Sequence, residues 1–428
     1  MADPLVETPR RIFFATPGFE EALAAELLSG APGQPSPWRL SSGRATPDQP
    51  GLVMCDEPSD DGQNGQNGQN GQNGHDAHDG QALPPLDPVF ARQQMPRAEP
   101  VAGASVAALA EACYAAVEGT VDRAGLLAAG PADRSDRSDR ALPPNGTFTI
   151  FAAVPTGADP RLSSRANLVV EQTLALLHQR RRRAARAFVP PADAARAFSE
   201  VRVVAQLLLL AREHGYVSIA APRALSRGGW DLAPWPAGAA PVVEDRRPPS
   251  RAYRKLEEAF QWMGDEPRPG ELCVDLGAAP GGWTHGALVR GARVIAIDRA
   301  PLAPSLRHHP NLQAAAGNAF TYAPPARADW LLSDIVCEPA RALALVGRWI
   351  ERDLCRKLVV TIKFKGRESY GILVEARALL ERAGWARARI KHLQHNKNEV
   401  TIMATRGGGR RPSTGPPSDL PEVLPRSS

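Results

Sequence analysis

The sequence predicts an α/β protein whose C-terminal half holds a Rossmann-like, mostly parallel sheet. Three observations predict it. Between residues 250 and 405, short apolar runs alternate with amphipathic stretches, the pattern of strands joined by crossover helices. The runs end on chemistry-bearing residues, at Asp275, Asp298, Asp334 and Lys363. A glycine loop, DLGAAPGGWT from Asp275 to Thr284, follows the apolar run Leu272, Cys273, Val274. Sheets of this kind take ligands at the carboxyl ends of their strands, so three acids and a lysine are expected to converge on one crevice.

At 428 residues the chain has room for two or three domains, and 43% hydrophobic residues suffice for buried cores. No N-terminal stretch joins a basic region to an apolar core, and the run Leu207 to Ala211 is far too short to span a bilayer. A soluble protein of the cytoplasm is therefore expected, with no membrane partner. The five cysteines show no C-x-x-C pair, which argues against a zinc site or a disulfide framework, and no metal is expected. A net charge of +5 is compatible with a polyanionic partner and decides nothing alone.

Taken in order, Ile12 to Ala15 reads as a strand and Thr16-Pro17-Gly18 as a turn. Phe19, Leu23 and Leu27 then repeat at helical spacing, with Glu20 and Glu21 suited to a first helical turn. Residues 1–100 are thus expected to form a small, ferredoxin-like α/β domain with a disordered insert near 56–82, where QNG repeats between Gln63 and Gly74 cannot bury a core. The following His75, Asp76, His78 and Asp79 are expected to be part of that insert and not a metal tract. Val106 to Val117 reads as a helix, RSDRSDR (Arg134 to Arg140) as a polar insert, and Thr147 to Val154 as a strand. Leu168 to Phe188 is predicted as a helix whose far end carries Arg180, Arg181, Arg182, Arg183 and Arg186. Five arginines in seven residues exceed what a helix dipole needs, so RNA contact is the expectation over a merely solvated helix end. Val203 to Leu210 and Tyr216 to Ala220 read as strands about a turn at His214-Gly215, and 223–249, rich in Pro, Gly and Arg, as a linker.

The C-terminal half, residues 250–405, carries the glycine loop, and 406–428 is expected as a disordered tail. Gly277, Gly281 and Gly282 permit backbone angles and close approach that a Cβ would forbid, and Pro280 stiffens the loop. The spacing is neither the G-x-G-x-x-G of dinucleotide sites nor a P-loop, which disfavours a phosphate cradle. Asp298 lies at about the ~20-residue offset where an acid meets a ribose hydroxyl pair. A nucleoside-bearing cofactor without pyrophosphate fits these features, and S-adenosylmethionine is the candidate.

Six segments, SRAYRKLEEAF (Ser250 to Phe260), VDLGAAPGGWT, AIDRAPLAPSL (Ala296 to Leu306), SDIVCEPA (Ser333 to Ala340), TIKFK (Thr361 to Lys365) and NKNEVTIM (Asn396 to Met403), occur in this order. Together they resemble the FtsJ-like ribose 2′-O-methyltransferases, and among them the large-subunit ribosomal RNA methyltransferase family RlmM. PGFEEALAAEL (Pro17 to Leu27) and VFARQ (Val89 to Gln93) echo that family's N-terminal part. The resemblance implies a seven-stranded methyltransferase domain over 250–405, a THUMP-like RNA-binding domain over 101–222, and S-adenosylmethionine held by Gly277, Ala279, Pro280, Gly281, Gly282, Trp283, Asp298, Asn318 and Asp334. It implies a Lys-Asp-Lys-Glu tetrad at Lys255, Asp334, Lys363 and Glu399, acting on 23S ribosomal RNA or a large-subunit precursor, at a cytidine, in a monomeric enzyme. Two positions depart from the family pattern: Asn318 stands where an acid is usual, and Ala252 where a serine is.

A ribose 2′-hydroxyl is a poor nucleophile and must lose its proton while it lines up behind the sulfonium carbon. Lys363 is assigned as proton acceptor, Lys255 as electrostatic helper, and Asp334 and Glu399 as the groups that orient both amines. A lysine starts near pKa ~10.4 and acts as a base only when burial and positive neighbours lower that value. Strand alternation puts Lys363 and Lys365 on one face, so spacing does not choose between them; the resemblance selects Lys363. Cys337 lacks the Pro-Cys setting of base-carbon methyltransferases, and Ser333-Asp334-Ile335-Val336 lacks the signature of base-amine enzymes, which favours ribose over base.

Overall fold

The computed structural model describes residues 10–29, 38–41, 49–56, 87–123, 147–385 and 387–406. The QNG repeats with the neighbouring histidines, the RSDRSDR insert and the tail from 407 lie outside these residues. The chain forms two compact units, one of residues up to Leu225 with Trp230–Ala239, the other of Ser226–Gly229 with the residues from Ala240 on.

The first unit runs β1 (Arg10–Phe14), α1 (Glu20–Leu28), β2 (Arg39–Leu40), β3 (Leu52–Asp56), β4 (Gln93–Ala102), α2 (Val106–Arg123), β5 (Thr147–Ala153), α3 (Pro160–Arg180), α4 (Arg182–Ala185), α5 (Pro191–Arg196), β6 (Val201–Leu209) and β7 (His214–Ala220). Its strands make one sheet in the order β2-β3-β1-β4-β7-β6-β5. The start of β4 pairs with β1 and its end with β7, so the boundary expected at residue 100 falls inside a strand. Asp159 caps α3 by accepting from the Arg161 amide at 2.9 Å, with Pro160 in the first turn where no amide proton is needed. The helix buries Ala166, Val169, Thr173 and Leu177 along one stripe and breaks at Arg181, whose φ of −137° is not helical. The helix expected over Leu168 to Phe188 is thus displaced toward the N-terminus, starting at Pro160 and ending eight residues earlier, at Arg180. The turn expected at His214-Gly215 lies earlier too, since both residues are in β7; a Cβ on Gly215 would meet the Leu208 carbonyl at 2.1 Å, which explains the glycine as a cross-strand approach.

The stretch 223–249, expected as a linker, divides between the units. Gln93 gives and takes hydrogen bonds with Ala233 at 2.9 Å, Gln94 donates to the Asp231 carbonyl at 2.8 Å, and Leu232 and Trp235 are buried. Proline and glycine set the composition of this stretch, but its few large apolar residues set where it packs.

The second unit runs α6 (Tyr253–Met263), β8 (Leu272–Leu276), α7 (Gly282–Leu288), β9 (Arg293–Asp298), β10 (Leu312–Ala316), β11 (Ala328–Ser333), α8 (Pro339–Glu351), β12 (Cys355–Lys363), α9 (Ile372–Arg382), β13 (Arg387–Lys391) and β14 (Glu399–Thr405). The seven strands lie in the order β10-β9-β8-β11-β12-β14-β13, parallel through β12 and antiparallel at β14 and β13. This is the mixed, mostly parallel α/β sheet that the alternation predicts. Chain order runs outward from β8 in one direction and from β11 in the other, so the switch point opens a crevice at their carboxyl ends. Trp330 and Trp349 are fully buried in this unit's core, with the Trp330 indole donating to Glu271 at 2.8 Å and packing edge-on against Phe260.

Candidate active site

Four side chains, three from α6, β12 and β14 and one, Asp334, from just past the end of β11, meet at the end of the second sheet. Lys255 from α6 reaches Asp334 Oδ2 at 2.7 Å, Asp334 Oδ1 at 2.9 Å and Glu399 Oε1 at 2.9 Å. Lys363, the last residue of β12, reaches Asp334 Oδ1 at 2.7 Å and Glu399 Oε2 at 3.2 Å. Lys363 and Glu399 are also direct partners in the β12–β14 ladder, so the strand register itself brings the two charges together. Two ammonium groups and two carboxylates cancel formally, which makes the burial of all four tolerable. Lys255, whose side chain is 11% exposed, is no surface lysine.

Burial pushes the Lys363 ammonium toward neutrality, but Asp334 and Glu399 outweigh it and hold the group above the usual lysine range. Burial is thus opposed by the two carboxylates that Lys363 contacts, and the base is not readied by a lowered affinity for its proton. Glu399 is the mirror case: burial pushes it up, and Lys255 and Lys363 together pull it below its ordinary value. Lys365, which spacing left level with Lys363, lies exposed past the end of β12 and pairs with Glu338.

The glycine loop joins β8 to α7. Gly277 and Gly281 have φ of +74° and +113°, and Cβ atoms there would meet Ile335 at 2.2 Å and Leu306 at 2.3 Å. The space that these glycines leave is filled by the protein's own side chains, so packing alone requires them. Asp298 accepts from the Ala279 amide with Oδ2 and from the Ala300 amide with Oδ1, both at 2.9 Å. Each oxygen keeps a further lone pair for a ligand hydroxyl. Pro280 accepts from the Ala303 amide at 2.9 Å, and Gly282 opens α7. The Trp283 ring is buried, its indole donating to the Ala252 carbonyl at 2.8 Å, so it ties α7 to the start of α6. Asn318 is exposed after β10, its Oδ1 accepting from the Phe320 amide at 3.0 Å with one lone pair left over. Beneath the loop, Asp275 is fully buried and receives the Thr284 hydroxyl at 2.6 Å. Burial pushes its carboxyl up, with Asp334 and Asp298 adding to the effect against the Thr284 bond, to about 7.

The sequence reading passes over Thr361, Thr284 and Glu258. Thr361 donates to Asp334 Oδ1 at 2.7 Å; its place two residues before Lys363 on one strand face was the available signal. Glu258, fully buried on α6, accepts from the Gln394 and His395 amides at 2.8 and 3.0 Å and so holds the turn before Glu399. Cys337 is half-buried and its thiol is pushed up by that burial, the opposite of an activated nucleophile. Among the described residues no cluster of His, Cys, Asp and Glu has the form of a metal site, and no helix is long and apolar enough to cross a membrane.

In the first unit the arginine cluster separates. Arg180 binds Glu111 of α2 through two hydrogen bonds at 2.6 and 2.7 Å and lies over the Tyr114 ring, and Arg181 binds Glu118 at 2.6 Å. Arg182, Arg183 and Arg186 are exposed. Helix-to-helix pairing, invisible in local sequence, engages the first two.

Residues 248–362 match the sequence model of the FtsJ-like methyltransferases. This segment is an FtsJ-like methyltransferase domain. It holds Lys255 and Asp334 of the cluster; Lys363 and Glu399 follow it on the same sheet. The chain is 36% identical over 179 residues to ribosomal RNA large subunit methyltransferase M of Halorhodospira halophila, covering 41% of this chain and 52% of that one. The enzyme of the same name from Pseudomonas syringae pv. syringae is 41% identical over 190 residues, covering 41% and 52%, and that of Laribacter hongkongensis 35% over 221 residues, covering 48% and 60%. The chain thus spans about half the length of the curated relatives it matches.

Proposed function

We propose that this protein transfers a methyl group from S-adenosylmethionine to a ribose 2′-hydroxyl of large-subunit ribosomal RNA. The observation that carries the reading is the cluster of Lys255, Asp334, Lys363 and Glu399 beside the glycine loop of an FtsJ-like domain. The cofactor supplies an electrophilic methyl on a sulfonium. Gly277, Ala279, Pro280, Gly281 and Gly282 would hold it along the loop, Asp298 its ribose hydroxyls and Asn318 its adenine edge.

Lys363, once neutral, takes the 2′-hydroxyl proton on Nζ as the new C–O bond forms and the methyl–sulfur bond breaks. Lys255 steadies the developing oxyanion, and Asp334 and Glu399 fix the direction of both amines. The relatives' name points to large-subunit ribosomal RNA, and a cytidine of 23S rRNA in the cytoplasm is the finer reading. A THUMP-like role for the first unit, with capture through Arg182, Arg183 and Arg186, completes the proposal. The deciding test is a map of 2′-O-methyl sites on total RNA from cells with and without the protein. Loss of one large-subunit site supports the reading; loss of a tRNA site redirects it, and no loss at all points to a non-catalytic assembly factor.

Two expected results follow from the assigned contacts. Asp298→Ala weakens S-adenosylmethionine binding by ~1.5 to 3 kcal/mol in calorimetry, the scale of charge-assisted hydrogen bonds lost at a sheltered site. Unchanged affinity would leave Asp298 as a support for the Ala279 and Ala300 amides alone. Glutamine at Arg182, Arg183 and Arg186 flattens the log-log salt dependence of RNA affinity by roughly two to three units, since each neutralised phosphate contributes ~0.7 to 0.9. Cofactor affinity serves as the control, and an unchanged slope would make these arginines a solvated helix end.

A further inference from the structure

One oxygen of the cluster is unusually loaded. Asp334 Oδ1 accepts from Lys363 Nζ at 2.7 Å, from the Thr361 hydroxyl at 2.7 Å and from Lys255 Nζ at 2.9 Å. Thr361 is buried on β12 one residue past its last partner in β11 and pairs with Thr401 of β14, on the strand and face that carry Lys363. A valine would satisfy that strand position equally well, because β-branched residues of this shape pack alike on a pleated surface; the hydroxyl is what a threonine adds.

We propose that Thr361 is a positioning residue that sets the proton affinity of Lys363 through Asp334. Its hydroxyl draws negative charge from Oδ1, and the carboxylate then holds the Lys363 ammonium less tightly. The inference rests on Lys363 being the proton acceptor of the proposed methyl transfer, and it answers a difficulty raised by the geometry. Asp334 and Glu399 hold that lysine protonated, yet it must become neutral to act. A neutral donor on the shared oxygen opposes the pull without adding charge. The other groups facing the pair are Lys255 from α6, Glu399 from β14, Asp275 from β8 and Cys337 on the loop after β11, and none of them changes when Thr361 is replaced.

The test is kcat against pH, with saturating RNA and cofactor, for the wild type, Thr361→Val and Thr361→Ser. Valine is expected to move the rising limb to higher pH by about half a unit to one unit, which lowers kcat roughly three- to tenfold near neutrality. The valine and wild-type curves then converge at high pH, while serine tracks the wild type throughout. Cofactor affinity stays within twofold for both variants. If the valine protein does not fold, Thr361→Cys, of similar size and a weaker donor, gives a smaller shift in the same direction. A valine curve that superposes on the wild type, or that lies below it by one factor at every pH, overturns the proposal. A wild type inactive on RNA defeats the proposed function as well, and so is distinguishable from a failure of this inference alone.

Discussion

Lys363→Ala is expected to lower the rate of methyl transfer by about 10²- to 10⁴-fold, the contribution typical of a positioned general base, while S-adenosylmethionine and RNA affinity stay within a few fold. The wild-type rate should rise with pH. Asp334 and Glu399 hold Lys363 above the ordinary lysine range, so its neutral fraction near pH 7 is small and grows about tenfold per unit until that range is reached. In the alanine variant the rise disappears along with the rate. Single-turnover assays at several pH values check both points. Equal loss of binding would place Lys363 in substrate capture, and a fully active alanine variant with an inactive Lys365→Ala would move the base one turn of the pleat outward.

Asp275→Asn is expected to change how stability responds to pH. Buried Asp275 titrates near 7 in the folded protein against 3.8 for an ordinary aspartate. The native state therefore keeps a proton that the unfolded chain releases above pH ~4, and the stability this gives is present at low pH and lost as pH climbs through 7. Asparagine cannot ionise, so relative to the wild type it gains ~3 kcal/mol between pH 5 and pH 8, nearly all of it over the two units up to about pH 7 at ~1.4 kcal/mol per unit. Urea titrations of both proteins at the two pH values read the difference. A difference that does not vary with pH would show Asp275 ionised throughout, its burial offset by more than the Thr284 hydroxyl.

Much of the second unit was legible because its signals are local. Apolar runs ending on Asp275, Asp298 and Lys363 mark β8, β9 and β12, and the glycine loop can only join a strand to a helix start. β10 was not legible: LQAAA at a half-exposed sheet edge has neither alternation nor β-branching. β4 hid for a different reason, since Pro96, Arg97 and Pro100 interrupt a strand that bends between two sets of partners. Side-chain partners were the least legible of all. The sequence shows Lys363 and Lys365 as equals, and only the return of β14 beside β12 puts a carboxylate opposite the first of them. Arg180 and Arg181 look as free as Arg182 until α2 lies against α3 and offers Glu111 and Glu118.

β14 is made last among the described elements of the second sheet, yet it lies inside that sheet, between β12 and β13. During synthesis, a chain that has reached residue 398 holds both lysines and Asp334 but lacks the second carboxylate. Seating the strand in register is the same event as placing Glu399 opposite Lys363, and a slip of one residue would turn Glu399 to the other face. The four-residue cluster is thus complete only once β14 is seated beside β12.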